Sequence, residues 1–176
     1  MKAESPSRLW PSDIHKALKK LGIAQIAYVP DAGHTQLIVD CHADADMKTV
    51  SLTTEQEGVA MLAGAWLGGE RGALLMQSSG AGNCMNMLSL AQECRFPLLM
   101  LITMRGEWGE FNPWQIAMGQ GTRRLLEDSG CIVQRADKAE EIGEVVFAGG
   151  QMAFSTSRPV AVLIGQRVIG FKDWSK

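Results

Sequence analysis

Thr53-Thr-Glu-Gln-Glu-Gly-Val-Ala-Met-Leu-Ala-Gly-Ala-Trp-Leu-Gly-Gly69 is followed by a short apolar run and then by Gln77-Ser-Ser-Gly-Ala-Gly-Asn-Cys-Met-Asn86. The first part reads as a helix over Glu55 to Leu67, small and apolar after its opening acids and stopped by Gly68-Gly69. Ala73 to Gln77 reads as a buried strand. The glycine-rich segment then reads as a turn, with a second helix over Asn83 to Glu93. Helix, strand, turn and helix in so short a span point to a parallel α/β sheet.

The pattern repeats on both sides. Ser12 to about Leu21 has helical spacing, with Ile14, Leu18 and Leu21 on one face and Gly22 as the stop. Ile23 to Val29 reads as a strand, ended by Pro30-Asp31-Ala-Gly33. Thr35 to His42 is helical and Met47 to Leu52 a strand. Phe96 to Thr103 is an unbroken apolar strand, expected to be buried on both faces. Arg105 to Gln115 is irregular and carries Trp108 and Trp114. Gly119 to Ser129 is a helix, Cys131 to Arg135 a strand, Glu140 to about Phe154 a helix, and Val160 to Ile164 the last strand. The expected fold is therefore a single three-layer α/β/α domain over residues 1–176, with a six-stranded, mainly parallel sheet and residues 1–9 as a flexible arm. Ligands in such folds bind beyond the carboxyl ends of the strands. Pro30–His34, Gln77–Asn83 and Arg105–Gln120 fall there.

The chain has 176 residues, 46% hydrophobic and 20% charged, with a formal charge of −2. That balance offers no basic footprint for nucleic acid and no electrostatic draw to an anionic membrane. The longest apolar run, Phe96 to Met104, is about half of a membrane span. The four cysteines are scattered, so they read as reduced thiols of a cytoplasmic protein and not as a metal site.

Two readings attach to Glu57. Thr54-x-x-Glu57 is a capping box, in which the glutamate reaches back to the start of its own helix. The uncharged, small residues that follow it also suggest a desolvated carboxyl with a raised pKa, suited to proton sharing. Glu55 reads as a first-turn acid placed for the helix dipole. The Ser79-Gly-Ala-Gly82 turn offers free backbone N–H groups, with Asn83 as helix cap or ligand contact. It is not a dinucleotide fingerprint, since Met85 stands where a third glycine belongs, and no phosphate-binding G-x-x-x-x-G-K-[ST] occurs.

Taken together, the Glu57-Gly58 helix, the Gln77-Ser-Ser-Gly-Ala-Gly-Asn83 segment, the Val29-Pro30-Asp31 loop and Met104-Arg-Gly-Glu107 resemble the pyrimidine-binding domain of thiamine-diphosphate enzymes. Within these, the chain is most similar to sulfopyruvate and phosphonopyruvate decarboxylases. The resemblance implies that Glu57 hydrogen-bonds the aminopyrimidine of thiamine diphosphate and favours its imino tautomer. It implies that Ser79, Gly80, Gly82, Asn83 and Asn86 line the cofactor, and that Asp31, His34 and Arg105 face the substrate. Arg105 has a competing reading as the ion-pair partner of Glu107 or Glu110, and His34 as an exposed loop residue. The G-D-G and N-N elements that hold the diphosphate through Mg2+ in that family are missing here. No metal ligand is therefore assigned to this chain, and the Mg2+ is expected on a partner subunit. The implied protein is the α-type subunit of a 2-oxo acid decarboxylase, dimeric or larger within a hetero-oligomer. The alternative is a non-catalytic relative used for assembly or regulation.

Overall fold

A computed structural model of the chain describes residues 10–170, so the expected flexible arm at 1–9 lies outside the described residues. Six strands form one sheet in the order β2-β1-β3-β4-β6-β5. They are β1 (Ile23–Tyr28), β2 (Lys48–Ser51), β3 (Arg71–Gln77), β4 (Leu98–Thr103), β5 (Ile132–Ala136) and β6 (Pro159–Ile164). Every pairing among them is parallel. The helices between them are α1 (Trp10–Lys20), α2 (Thr35–Ala43), α3 (Glu55–Leu67), α4 (Ser78–Cys84), α5 (Leu88–Cys94), α6 (Ile116–Asp128), α7 (Ile142–Thr156) and the short α8 (Gln166–Ile169).

Alternation along the central strands divides the core in two. Leu75, Leu99, Leu101, Val162 and Ile164 pack with α1, α2, α7 and α8 on one face. Leu74, Met76, Met100, Ile102 and Leu163 pack with α3, α4, α5 and α6 on the other. All six residues of β4 and of β6 are buried. An apolar side chain covered on both sides of a sheet contributes about 1.5–3 kcal/mol when large, which is why these strands carry no alternation of polarity. The edge strand β2 has no buried residue.

The expected three-layer architecture and all six strands are present. Several boundaries differ, α6 for instance starting at Ile116 and not at Gly119. Helix α1 already includes Trp10, ahead of the expected start at Ser12, and Pro11 is tolerated there because it has no N–H to lose in an early helical turn. The glycine-rich segment is not a turn: α4 starts directly after Gln77 and contains Gly80 and Gly82. The single helix expected over Asn83 to Glu93 is two helices, α4 and α5, separated by residues 85–87.

Candidate active site

After β1 the chain turns to α2 on one face of the sheet, and after the adjacent β3 it turns to α4 on the other. The parting opens a crevice at the carboxyl ends of the strands, the usual ligand position in such sheets. Helix α3 brings its first turn to the same edge.

That turn holds two glutamates with opposite fates. Glu55 is buried, 6% exposed. Its Oε2 accepts a hydrogen bond from Asn83 Nδ2 at 2.9 Å, and its Oε1 accepts none from the described residues. A Cβ added at Gly80 would run into this carboxylate. Glu57 is exposed and its Oε2 accepts from the backbone N–H of Thr53 at 2.9 Å and of Thr54 at 3.4 Å. The capping reading of Glu57 therefore holds, and the expected desolvation of Glu57 is corrected. The enclosed carboxyl is Glu55, two residues earlier. The reason is helical phase: Gly58, Val59 and Leu62 are buried, and positions three, four and seven before them converge on 55, whereas 57 lies about 200° away.

The glycines have a corresponding role. Gly80 must lack a side chain because the Glu55 carboxylate occupies that space. At Gly82 a Cβ would sit 3.1 Å from Met118 Sδ, on the contact between α4 and α6. The expectation that both serve a turn with free N–H groups is replaced by close packing inside a helix. Ser79 is partly buried and Asn86 exposed. The Asn86 carbonyl accepts from Ser89 Oγ at 2.7 Å, which ties it to the start of α5.

Asp31 is partly exposed and accepts a hydrogen bond from Thr103 Oγ1, at the last residue of β4. His34 is not an exposed loop residue. It is 1% exposed, with Nε2 3.1 Å from the Leu101 carbonyl and Nδ1 unpartnered among the described residues. Burial pushes its pKa below the ordinary value, opposed by the charge of Asp31. A neutral imidazole donating from Nε2 fits that enclosure. The side chain thus stands behind Asp31, away from the solvent face.

Arg105 leads the segment after β4. Its Nε and Nη2 each donate to Glu110, both at 2.7 Å, so the competing ion-pair reading is met by Glu110. Glu107 pairs instead with Arg135. The Arg105 guanidinium pushes the Glu110 carboxyl down to about 2, and the Glu110 hydrogen bonds raise Arg105 in return. Gln166 closes the segment from β6. Its Oε1 accepts the N–H groups of Glu107 and Trp108 at 2.8 and 3.0 Å, and its Nε2 donates to Glu110 at 3.0 Å. Ser78 Oγ accepts the Arg105 N–H at 3.1 Å, joining this segment to α4. Beyond it, Trp114 is 81% exposed and Ile116 42%.

Sequence reasoning passed over Glu55 as a catalytic candidate and missed Thr103 and Gln166. The buried stripe of α3 could have found Glu55. Thr103 and Gln166 carry no local signal, since their partners lie 72 and about 58 residues away. Cys41, Cys84 and Cys131 are buried and Cys94 exposed. Burial pushes the three enclosed thiols up to about 12, so they stay protonated at neutral pH. Among the described residues no group of three or more His, Cys, Asp or Glu side chains is arranged to hold a metal ion. Among them, too, no helix is long and apolar enough to cross a membrane.

Residues 12–111 match the family described as thiamine pyrophosphate enzyme, N-terminal TPP binding domain. Sulfopyruvate decarboxylase subunit alpha of Methanococcus maripaludis is 32% identical over 86% of this chain and 91% of the relative. The subunit of the same name from Methanocaldococcus jannaschii is 33% identical over 85% and 89%. Phosphonopyruvate decarboxylase of Streptomyces viridochromogenes is 38% identical over 66% of this chain, which spans 30% of that longer protein. In fold, the chain is similar to 2-oxoglutarate:ferredoxin oxidoreductase from Magnetococcus marinus, with a TM-score of 0.71 and 14% identity, over 91% of this chain and 29% of that one.

Proposed function

The chain belongs to the thiamine pyrophosphate enzymes, through their N-terminal TPP binding domain, and from that premise we propose that it is the α-type subunit of a thiamine-diphosphate-dependent decarboxylase. The substrate is a 3-substituted 2-oxo acid, sulfopyruvate first and phosphonopyruvate second, in keeping with the names of its relatives. It works as a single-domain cytoplasmic subunit. A partner subunit supplies the Mg2+ and the diphosphate-binding half of the site.

The observation that carries this reading is the Glu55 carboxylate: buried, oriented by Asn83 on one oxygen, open on the other, and faced by a glycine. Such a group fits an aminopyrimidine ring, which needs one enclosed acceptor and a flat approach. We assign to Glu55, in place of Glu57, the hydrogen bond to the ring nitrogen. When bound, thiamine diphosphate supplies the nucleophilic carbon and the electron sink for loss of carbon dioxide. Glu55 Oε1 holds and returns the proton shared with the ring, in a site where little water competes. Gly80 leaves room for the carboxylate to stand there. Asn83 keeps Oε2 engaged, so that Oε1 is the oxygen presented.

Asp31 stands at the mouth as the group that can move a proton at the substrate, fixed by Thr103 and backed by His34. Arg105 retains its Nη1 donors for a sulfonate or phosphonate, because Glu110 engages only Nε and Nη2. Trp114 and Ile116, exposed beside the site, suit contact with the partner subunit. The test is reconstitution. The purified chain alone is expected to turn over little or no sulfopyruvate, and addition of the diphosphate-binding subunit to restore decarboxylation. Glu55→Gln in the assembled complex is expected to lower activity at least about a hundredfold while assembly persists. Full activity of that variant would reject the assignment of Glu55.

A further inference from the structure

The sheet parts a second time. After β4 the chain goes to α6, whose Leu126 packs on one face. After the adjacent β6 it goes to α8, whose Val168 and Ile169 pack on the other. This is the same divergence that opens the crevice between β1 and β3, and it again falls at the carboxyl ends of neighbouring parallel strands. A cavity of about 750 Å³ lies there. The site carrying Glu55 does not use it.

Its wall is basic. Arg123, Arg135, Lys138 and Arg167 line it against only two carboxylates, Glu107 and Asp137, a surplus of two positive charges. Both carboxylates accept hydrogen bonds from Arg135, and the charge of Arg167 also helps to hold the Asp137 carboxyl low. Glu107 takes the Arg135 Nη1 and Nη2 at 2.6 and 2.9 Å, and Asp137 takes the Arg135 Nε at 2.9 Å. The other three cations are less matched. Arg123 pairs with Glu127, which is not part of the wall. Arg167 stands 5.5 Å from the Trp108 ring centroid. Lys138 holds no ion pair among the described residues. The floor is pre-formed, since buried Gln166 fixes the Glu107 and Trp108 backbone with its side chain.

We propose that the crevice between β4 and β6 is a second ligand site, for a small oxyanion of the sulfonate, phosphonate or phosphate class, held by Lys138 and Arg167 with Arg123 at its rim. The site is separate from Glu55 and takes part in no bond-making step. Two cations on a rigid floor suit such an anion, and Arg167 can donate two parallel hydrogen bonds to its oxygens. Because the site shares Glu107, Trp108 and Gln166 with the segment that carries Arg105, its occupancy would stiffen that segment.

The test is an NMR titration of the full 15N-labelled chain with sodium phosphate, sodium sulfate and sulfoacetate, at constant ionic strength made up with chloride. Saturable shifts are expected at the Trp108 indole, the Gln166 side-chain amide and the backbone of Asp137 and Lys138. Removing each cation, in Lys138→Ala and Arg167→Ala, is expected to weaken binding roughly tenfold. Both residues are exposed, so an unchanged melting temperature verifies folding. Tighter binding of sulfoacetate than of sulfate assigns an organic acid that carries a carboxylate as well; the reverse assigns an inorganic anion. Binding that persists in Glu55→Gln separates this site from the one proposed above. Shifts that chloride reproduces, or affinity unchanged in the double variant, overturn the proposal and leave an open basic surface that only screens salt.

Discussion

The two crevices at the carboxyl edge of the sheet arise from one backbone rule and differ in what their walls are made of. Between β1 and β3 the wall carries Gly80 pressed on a single enclosed carboxylate that Asn83 holds. Between β4 and β6 it is long, charged and open to water. The first arrangement makes one proton-sharing group count, because little solvent competes with it. The second holds charge without transferring protons, since guanidinium and ammonium groups stay protonated at neutral pH. The lesson is that topology chooses where a ligand can sit, while side-chain size and charge decide what the position can do.

The largest expected effect tests the first crevice. Glu55→Gln in the assembled complex should lower kcat by about 10²–10⁴-fold, the range for loss of a positioned proton-transfer group. Equal loss in Glu57→Gln would erase the distinction between the two glutamates. Next, Gly80→Ala should cost about 3 kcal/mol of stability or displace the Glu55 carboxylate, as overpacking does. Thermal unfolding and a crystal structure of that variant would decide which, and a variant with normal stability and activity would deny the close contact.

A smaller effect concerns the segment the crevices share. Glu110→Gln should destabilise the chain by about 2 kcal/mol at pH 7, the scale of a charge-assisted hydrogen bond. The sign of its pH dependence follows from the depressed carboxyl, held at about 2 against an ordinary 4.5. Its stabilisation is complete above pH 4.5 and is lost as the pH falls toward 2. The variant should therefore lose part of the acid limb of the stability curve, and superimposable limbs would count against the Arg105–Glu110 fork.

Asn83→Ala should reduce kcat about tenfold, the equivalent of one hydrogen bond of roughly 1.4 kcal/mol. Little further loss should appear once Glu55 is already Gln; full additivity in that double-mutant cycle would mean that Asn83 acts on the cofactor directly. Smallest of all, Glu57→Gln should cost about 1 kcal/mol of stability through the weakened cap, with activity in the complex nearly unchanged.

Much of this was legible in the chain. Six apolar runs alternating with amphipathic ones carry the three-layer fold, because strand and helix periods differ and burial on both faces removes polarity altogether. The capping role of Glu57 was also local, since its partners are three and four residues away. The choice between Glu55 and Glu57 was half legible. Their surroundings in sequence are alike, and only the phase of the buried stripe tells them apart. The glycines were misread because a turn and a helix packed on a carboxylate both call for a missing side chain.

By itself, then, the sequence determined the six strands and their order, the parallel sheet and the family. Those rest on short-range periodicity and on motifs a few residues long. Tertiary structure alone decided which glutamate is enclosed, that Thr103 reaches Asp31 across 72 positions, and that Gln166 anchors the segment after β4. It also brought Arg123, Lys138 and Arg167 around one cavity. The physical reason is that hydrogen bonds and charge act over a few ångströms of space, and the sheet makes neighbours of residues that the chain keeps far apart.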